Sequence, residues 1–382
     1  MITLNENDKK WVQDTWKKFS DKISVVADRT GDKIPYNTID GVFDDKKETQ
    51  IEDWTNGFWP GLMILMYDAT GDEKYLKIAR KNMDEMDRVF SDFDMLHHDV
   101  GFMWNISSSA DFRLTGDKKQ RNRFLMAASL LLSRYNINGK YIRAWNDWDP
   151  GDSNAGWAII DCMMNIPILY RAAKETGDLR FKMAAENHAD TTMNNHIRPD
   201  GSCHHIVEYD AVDGNGFIRN YTGQGYKGYP LSSWSRGQAW ALYGFALSYT
   251  HIKKQEHLDA AKRVAHYFIA NVAQTNWLPL ADFRAPEEPV MYDSTAGACA
   301  ACGLIEIANA VDEHEKKLYL NAAISILKAL DENFCDYDLN TDAILTMGTE
   351  AYGRGVHKTI ISGDFFFVEA LRKLEGFADF VW

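Results

Sequence analysis

Apolar positions along this chain recur with a helical period, and the helical runs come in pairs. An apolar helix ends in a short polar turn and a second helix follows, at 58–69 then 73–90, 158–175 then 179–194, 238–251 then 257–273, and 296–311 then 315–333. Two of the turns are the same tripeptide, Thr70-Gly71-Asp72 and Thr176-Gly177-Asp178. Its glycine suits the left-handed end of one helix and its aspartate the N-cap of the next. A third copy, Thr115-Gly116-Asp117, opens a helix over 118–135. Each second helix has a large apolar residue three positions before an alanine: Leu76/Ala79, Phe181/Ala184, Leu258/Ala261 and Leu320/Ala323, with Phe124/Ala127 in the 118–135 helix. That spacing places both on one face, where the alanine allows close approach of a neighbouring helix.

With helices at 8–29 and 364–374 the pattern predicts about eleven helices. The pairs repeat every roughly 50–75 residues, too long and too irregular for a short-repeat solenoid. A closed ring fits: inner helices line a core, outer helices wrap it, and long loops gather at one end. The expected fold is therefore all-α, an (α/α)6 barrel of helical hairpins with a small β-hairpin in its loops. No low-complexity linker interrupts the chain, so residues 1–382 are expected to form one domain. Three long stretches read as non-helical: 96–114, 138–152 with its Asp149-Pro150-Gly151-Asp152 turn, and 198–233. In the last, 204–209 and 217–221 flank Asp213-Gly214-Asn215-Gly216, a strong hairpin signal. Such loops are where a ring of helices builds a pocket.

Charge narrows the partners. A net charge of −13 argues against nucleic acid and anionic membranes, so an anionic ligand would need a local cationic pocket. Five irregularly spaced cysteines suggest a reducing compartment, and Cys299-Ala-Ala-Cys302 reads as two small buried residues on a helix. The first residues form no apolar signal segment, and no run approaches the ~20 apolar residues of a membrane span. A cytoplasmic location is expected.

Candidate chemistry lies in a few short runs. Trp234-Ser-Arg-Gly-Gln-Ala-Trp240 places Arg236 between two indoles at the start of a helical run. An indole face stacks on a sugar ring and a guanidinium grips a carboxylate in two places, so the run suggests an acidic-sugar site. Its other reading is two core tryptophans and an arginine capping another helix. Asp161 sits among Ile, Cys and Met, where an unpaired carboxylate is costly. It reads either as a structural acid bonded to an arginine or backbone N–H groups, or as a carboxyl with a shifted pKa. Asp99, in His97-His98-Asp99-Val100-Gly101-Phe102, reads as a loop cap or as a second catalytic acid. Paired carboxyls of unequal pKa are how enzymes act on sugars. His97, His98, Asp99, His204 and His205 invite a metal reading but match no zinc or iron spacing, so no metal or cofactor is expected. Trp54, Asn56, Trp59, Trp104, Trp145, Gln224 and Tyr226 fit a sugar cleft. No Walker A, GxGxxG or GxSxG motif is present.

From about Trp54 to Gly363 the chain resembles the bacterial unsaturated glucuronyl hydrolases. The resemblance rests on Trp-Thr-Asn-Gly-Phe-Trp-Pro-Gly at 54–61, His-His-Asp-Val-Gly-Phe at 97–102, Ile-Arg-Ala-Trp at 142–145, Ile-Ile-Asp-Cys-Met-Met-Asn at 159–165 and the run at 234–240. It implies an (α/α)6 barrel acting on the unsaturated uronic acid that polysaccharide lyases leave on di- and oligosaccharides. It implies Asp161 as general acid/base and Asp99 as the second, ionised carboxylate. His205, Gln224, Arg236 and Trp240 would line the uronate subsite, and Trp54 and Trp145 would pack against sugar rings. Adjacent His204 leaves open which histidine faces the site. The stretch Tyr352-Gly-Arg-Gly-Val-His-Lys358 corresponds to a sulfate-binding segment and offers Arg354 and Lys358 without a serine. Alternatives are an unsaturated rhamnogalacturonyl hydrolase, a sugar 2-epimerase on a similar barrel, and a non-catalytic carbohydrate-binding protein.

Overall fold

The structure, a computed structural model, describes residues 3–92, 94–147, 149, 153–211, 216–227, 229 and 231–382. Among them the long helices fall into six inner and six outer members. The inner ones are α2 (Phe58–Thr70), α4 (100–115), α6 (162–176), α8 (Ser235–Ile252), α10 (Ser294–Ala310) and α12 (Ile361–Leu374). The outer ones are α1 (Glu6–Thr30), α3 (Glu73–Met86), α5 (Lys118–Ser133), α7 (Leu179–His196), α9 (Gln255–Val272) and α11 (Glu313–Phe334). Inner helices touch in the order α2, α4, α6, α8, α10, α12 and back to α2, so the ring closes. Each outer helix packs on the inner helix before it in the chain, and α1 covers α12.

The two layers differ in their faces. Every residue of α12 and every residue from Ser235 to Ser248 of α8 is buried. By contrast α3 buries only Tyr75, Leu76, Ala79, Asn82, Met83 and Met86, one stripe toward the core. The Thr-Gly-Asp turns behave as the sequence implies. Gly71, Gly116 and Gly177 are left-handed, and the carboxylates of Asp72, Asp117 and Asp178 accept from the first-turn N–H groups of α3, α5 and α7. The apolar/alanine pairs of the outer helices are all buried, and Cys299 and Cys302 are buried in α10.

Two expectations need correction. Residues 96–114 are not a loop. From Val100 they form α4, with α-helical ends (Val100–Trp104, Ala110–Thr115) around a π-helical turn at Asn105–Ser109. Residues 158–175 are not one helix either. Trp157–Ile159 is a strand, and α6 begins at Cys162 and bends before Pro167. That strand pairs with Ile206–Tyr209, which pairs with Ile218–Thr222, so the expected hairpin is the outer part of a three-stranded antiparallel sheet. Of the turns read from sequence, Asp213–Asn215 and Pro150–Asp152 lie outside the described residues.

Candidate active site

The inner helices begin at one end of the barrel, and a cavity of about 260 Å3 opens there. Trp54 precedes α2, Asp99 and Asp161 immediately precede α4 and α6, and Arg236 lies in the first turn of α8; all four line it. Trp145, Gln224, Trp234 and Trp240 line it too, with Arg354, Glu350, Tyr36, Asp53 and His97.

Sheet register sets Asp161. Ile159 pairs with Ile206, and the Ile160 N–H donates to the His205 carbonyl at 2.9 Å. This brings His205 alongside Asp161, with Nε2 3.2 Å from Asp161 Oδ1. The Gln224 N–H donates to His205 Nδ1 at 3.1 Å, so the ring proton belongs on Nε2 and points at the carboxylate. His204 is turned away, stacked on Tyr221 with centroids 3.9 Å apart and bonded to the Arg198 guanidinium.

Asp99 is tied to Asp161 through one side chain. Asn165 Nδ2 donates to Asp99 Oδ1 at 2.9 Å and to the Asp161 carbonyl at 3.1 Å, while Asn165 Oδ1 accepts from the Phe102 N–H at 2.7 Å. Gly101 makes this contact possible, since a Cβ there would stand 2.4 Å from Asn165 Cα. His97 Nδ1 and His98 Nε2 each lie 3.4 Å from Asp99 Oδ2. Burial pushes His97 down to about 4 and His98 well below the usual histidine range, so both rings are neutral at neutral pH. Together with Asp99 they form the one His/Cys/Asp/Glu group among the described residues compact enough to hold a metal ion. The expectation of an ionised Asp99 is not met: burial, and then the charge of Asp161, raise its pKa well above the carboxylate range.

Arg236 also differs from expectation. Its Nε and Nη2 donate to the two oxygens of Asp293 at 2.9 and 3.0 Å, and Nη2 also reaches the Thr349 carbonyl. The two-pronged grip meant for a ligand is taken by a buried aspartate, leaving Nη1 without a protein partner among the described residues. Lys358 is not at the site. Its backbone pairs with Gly348 and its side chain is exposed outside the cavity, while Arg354 from the same segment reaches the cavity. Trp54 is half-buried and stands edge-on to Trp240 with centroids 6.3 Å apart; Trp240 packs on Phe102 and Phe366. Trp145 is half-buried beside Trp157. Asn56, Trp59 and Trp104 are core residues, and Tyr226 lines a neighbouring groove.

Sequence reading missed Asn165, Asp293, Tyr36, Asp53 and Glu350. Asn165 alone left a signal, being four residues from Asp161 and thus on the same helical face. Tyr36 donates its hydroxyl to Glu350 Oε1 at 2.6 Å across a separation of 314 residues, which no local pattern reveals.

Two carboxyls at the mouth of a helical barrel, that of Asp99 with its pKa raised by burial, lie among indoles and define a glycosidase-like site. The profile of Glycosyl Hydrolase Family 88 matches residues 26–278. The chain is 34% identical over 370 residues to the unsaturated glucuronyl hydrolase of Bacillus sp. (strain GL1), covering 94% of this chain and 92% of that protein. It is 35% identical over 327 residues to the unsaturated chondroitin disaccharide hydrolase of Streptococcus pyogenes serotype M1, covering 84% and 80%. A solved UGL variant with dGlcA-Glc-Rha-Glc superposes with a TM-score of 0.87 at 32% identity, covering 95% of this chain and 96% of that one. The chain belongs to glycosyl hydrolase family 88.

Proposed function

We propose that this protein is a glycosidase that removes the terminal unsaturated glucuronic acid from lyase-generated oligosaccharides of the glycosaminoglycan type, by hydrating its C4=C5 enol ether. The observation that carries the reading is the Asp99–Asn165–Asp161 arrangement at the mouth of the barrel, beside indoles and a cation. Asp161 gives a proton to C4, and positive charge builds at C5 and the ring oxygen. Water adds at C5 and returns its proton to the Asp161 carboxylate. The resulting hemiketal opens to a C5 ketone, and the hemiacetal left at C1 collapses, breaking the glycosidic bond and releasing the remaining sugar as an alcohol. Burial favours the protonated form of Asp99, and His205 Nε2 faces the Asp161 carboxyl. Asp99 is the second carboxyl of the site, its pKa raised by burial and then by the charge of Asp161. Trp54 and Trp145 face the sugar rings, Trp240 backs Trp54, His205 and Gln224 hold the Asp161 side, and Arg236 Nη1 with Arg354 offers the uronate its cationic contacts. Of the segment that corresponds to the sulfate-binding one, Arg354 lines the cavity and Lys358 does not. Residues 1–382 act as one catalytic domain. We place the protein in the cytoplasm: all five cysteines are free, as a reducing compartment would keep them.

The test is loss of the enol-ether chromophore from unsaturated disaccharides of chondroitin, hyaluronan, heparin and pectin. The wild type should bleach one or more of the glucuronyl substrates, and Asp161→Asn should lower kcat at least about 10³-fold. Near-normal turnover by Asp161→Asn, or bleaching of the pectin fragment alone, overturns the reading.

A further inference from the structure

At the other end of the barrel, the last turns of the inner helices surround a second cavity of about 650 Å3. Its wall carries Arg113 from α4, Arg171 and Lys174 from α6, and His251 beside Lys253 at the end of α8. Helix C-termini attract cations, and Lys373 there is answered by Glu306. Among the described residues Arg171 feels one counter-charge, that of Glu306, which Lys373 already engages. It lies five residues before the end of α6, it makes no hydrogen bond or ion pair among the described residues, and its Nε is buried with no partner. A buried guanidinium N–H without an acceptor is costly. Among the described residues Lys174 has no acidic partner, and neither has Lys253, whose ammonium lies over the Tyr249 ring at 4.9 Å. Arg113 donates to the main-chain oxygens of Asp379 at 2.8 Å and Trp382 at 3.2 Å. Burial lowers Arg171 to about 10; burial and then the charge of Arg171 lower Arg113 to about 9. His251, stacked on Tyr170, is kept neutral by burial and by these cations. Of the acids in the wall, Glu306 is engaged by Lys373, Glu375 by Arg372, and Asp379 is exposed at the rim. Arg171, Lys174 and Lys253, none of them touched by a carboxylate among the described residues, stand around one cavity of a chain with net charge −13 and call for a counter-charge.

We propose that this cavity is a binding site for a small tetrahedral oxyanion, sulfate or phosphate, held by the Arg171 guanidinium with Lys174 and Lys253 completing its shell. A guanidinium fork matches two oxygens of such an anion, and lysine ammonium groups serve the others as point charges. The site is remote from the catalytic cavity, and binding there is read without turnover.

Thermal melts and titration calorimetry on the full chain test it, with sodium sulfate or sodium phosphate against sodium chloride at matched ionic strength. The wild type should gain about 2–5 °C in Tm, saturably, with one or both oxyanions. Arg171→Gln should melt no lower than the wild type in chloride, because a charge that no carboxylate touches is gone, and should bind the oxyanion at least tenfold more weakly. Changing the exposed Lys174 and Lys253 to glutamine should weaken binding at least about threefold, and decides the matter if Arg171→Gln fails to fold. Arg354→Gln, at the catalytic cavity, should keep the full response. No saturable gain over chloride, an undiminished response in Arg171→Gln and the double lysine variant, or a response lost in Arg354→Gln overturns the proposal.

Discussion

Asp99 couples activity to stability. Its folded pKa is raised, so between the unfolded value of about 4 and the folded one the native state holds a proton that the unfolded chain has released. Stability therefore falls as pH rises through that window. Asparagine does not titrate, yet its carbonyl can still accept from Asn165. Asp99→Asn should therefore melt above the wild type at pH 7–8, the gain should vanish by about pH 4, and turnover should be lost. Equal melting temperatures at both pH values would show that Asp99 carries no such burden. Asn165 makes a second residue-scale prediction. Its amide favours the ionised form of Asp99, so Asn165→Ala should move the alkaline limb of the kcat/KM profile to higher pH and lower kcat about 10²-fold, with KM changed little. A loss of activity with the limb unmoved would make Asn165 merely structural. At this scale sequence was most informative where a polar residue stood out of place, as Asp161 does among Ile, Cys and Met. It was least informative where a partner is distant in the chain. Arg236 stood out, but Asp293, which occupies its fork, lies 57 residues away.

Elements were legible where turn chemistry marked them. The Thr-Gly-Asp turns end helices for a local reason, a left-handed glycine and a capping carboxylate, and the structure has them at each site. Helix α4 was hidden because its sequence, with Gly101 and Ser107–Ser109, lacks a regular apolar period. The ring supplies what propensity does not: Gly101 lets α4 approach α6, and the Ser107 hydroxyl bonds the Met103 carbonyl one turn back. The start of α6 was hidden for the opposite reason, since its apolar strand and apolar helix run together without a break in pattern. Asp293 immediately precedes α10 and holds α8 through Arg236; both side chains are buried. Asp293→Ala would leave a buried guanidinium with only the Thr349 carbonyl, and should cost about 3–5 kcal/mol in denaturant unfolding. A cost below about 1 kcal/mol would mean that the pair does not brace the two helices.

At the scale of the molecule the net charge and the catalytic cavity set a shared expectation for an anionic substrate. Asp53, Asp161 and Glu350 in the cavity wall stand against Arg236 and Arg354, so local charge gives a uronate little net attraction. The chain as a whole carries −13. At about 10 mM salt the Debye length of ~30 Å lets that field reach an approaching anion, and at about 150 mM it shrinks to ~8 Å. If repulsion by the whole molecule governs encounter, kcat/KM for an unsaturated uronate disaccharide should rise about twofold to fivefold between these salt concentrations, with kcat nearly constant. If Arg236 and Arg354 instead steer the substrate from a distance, kcat/KM should fall over the same range. Steady-state rates at the two ionic strengths separate the cases, and a fall would place the recognition of the carboxylate in long-range attraction rather than in contacts made inside the barrel mouth.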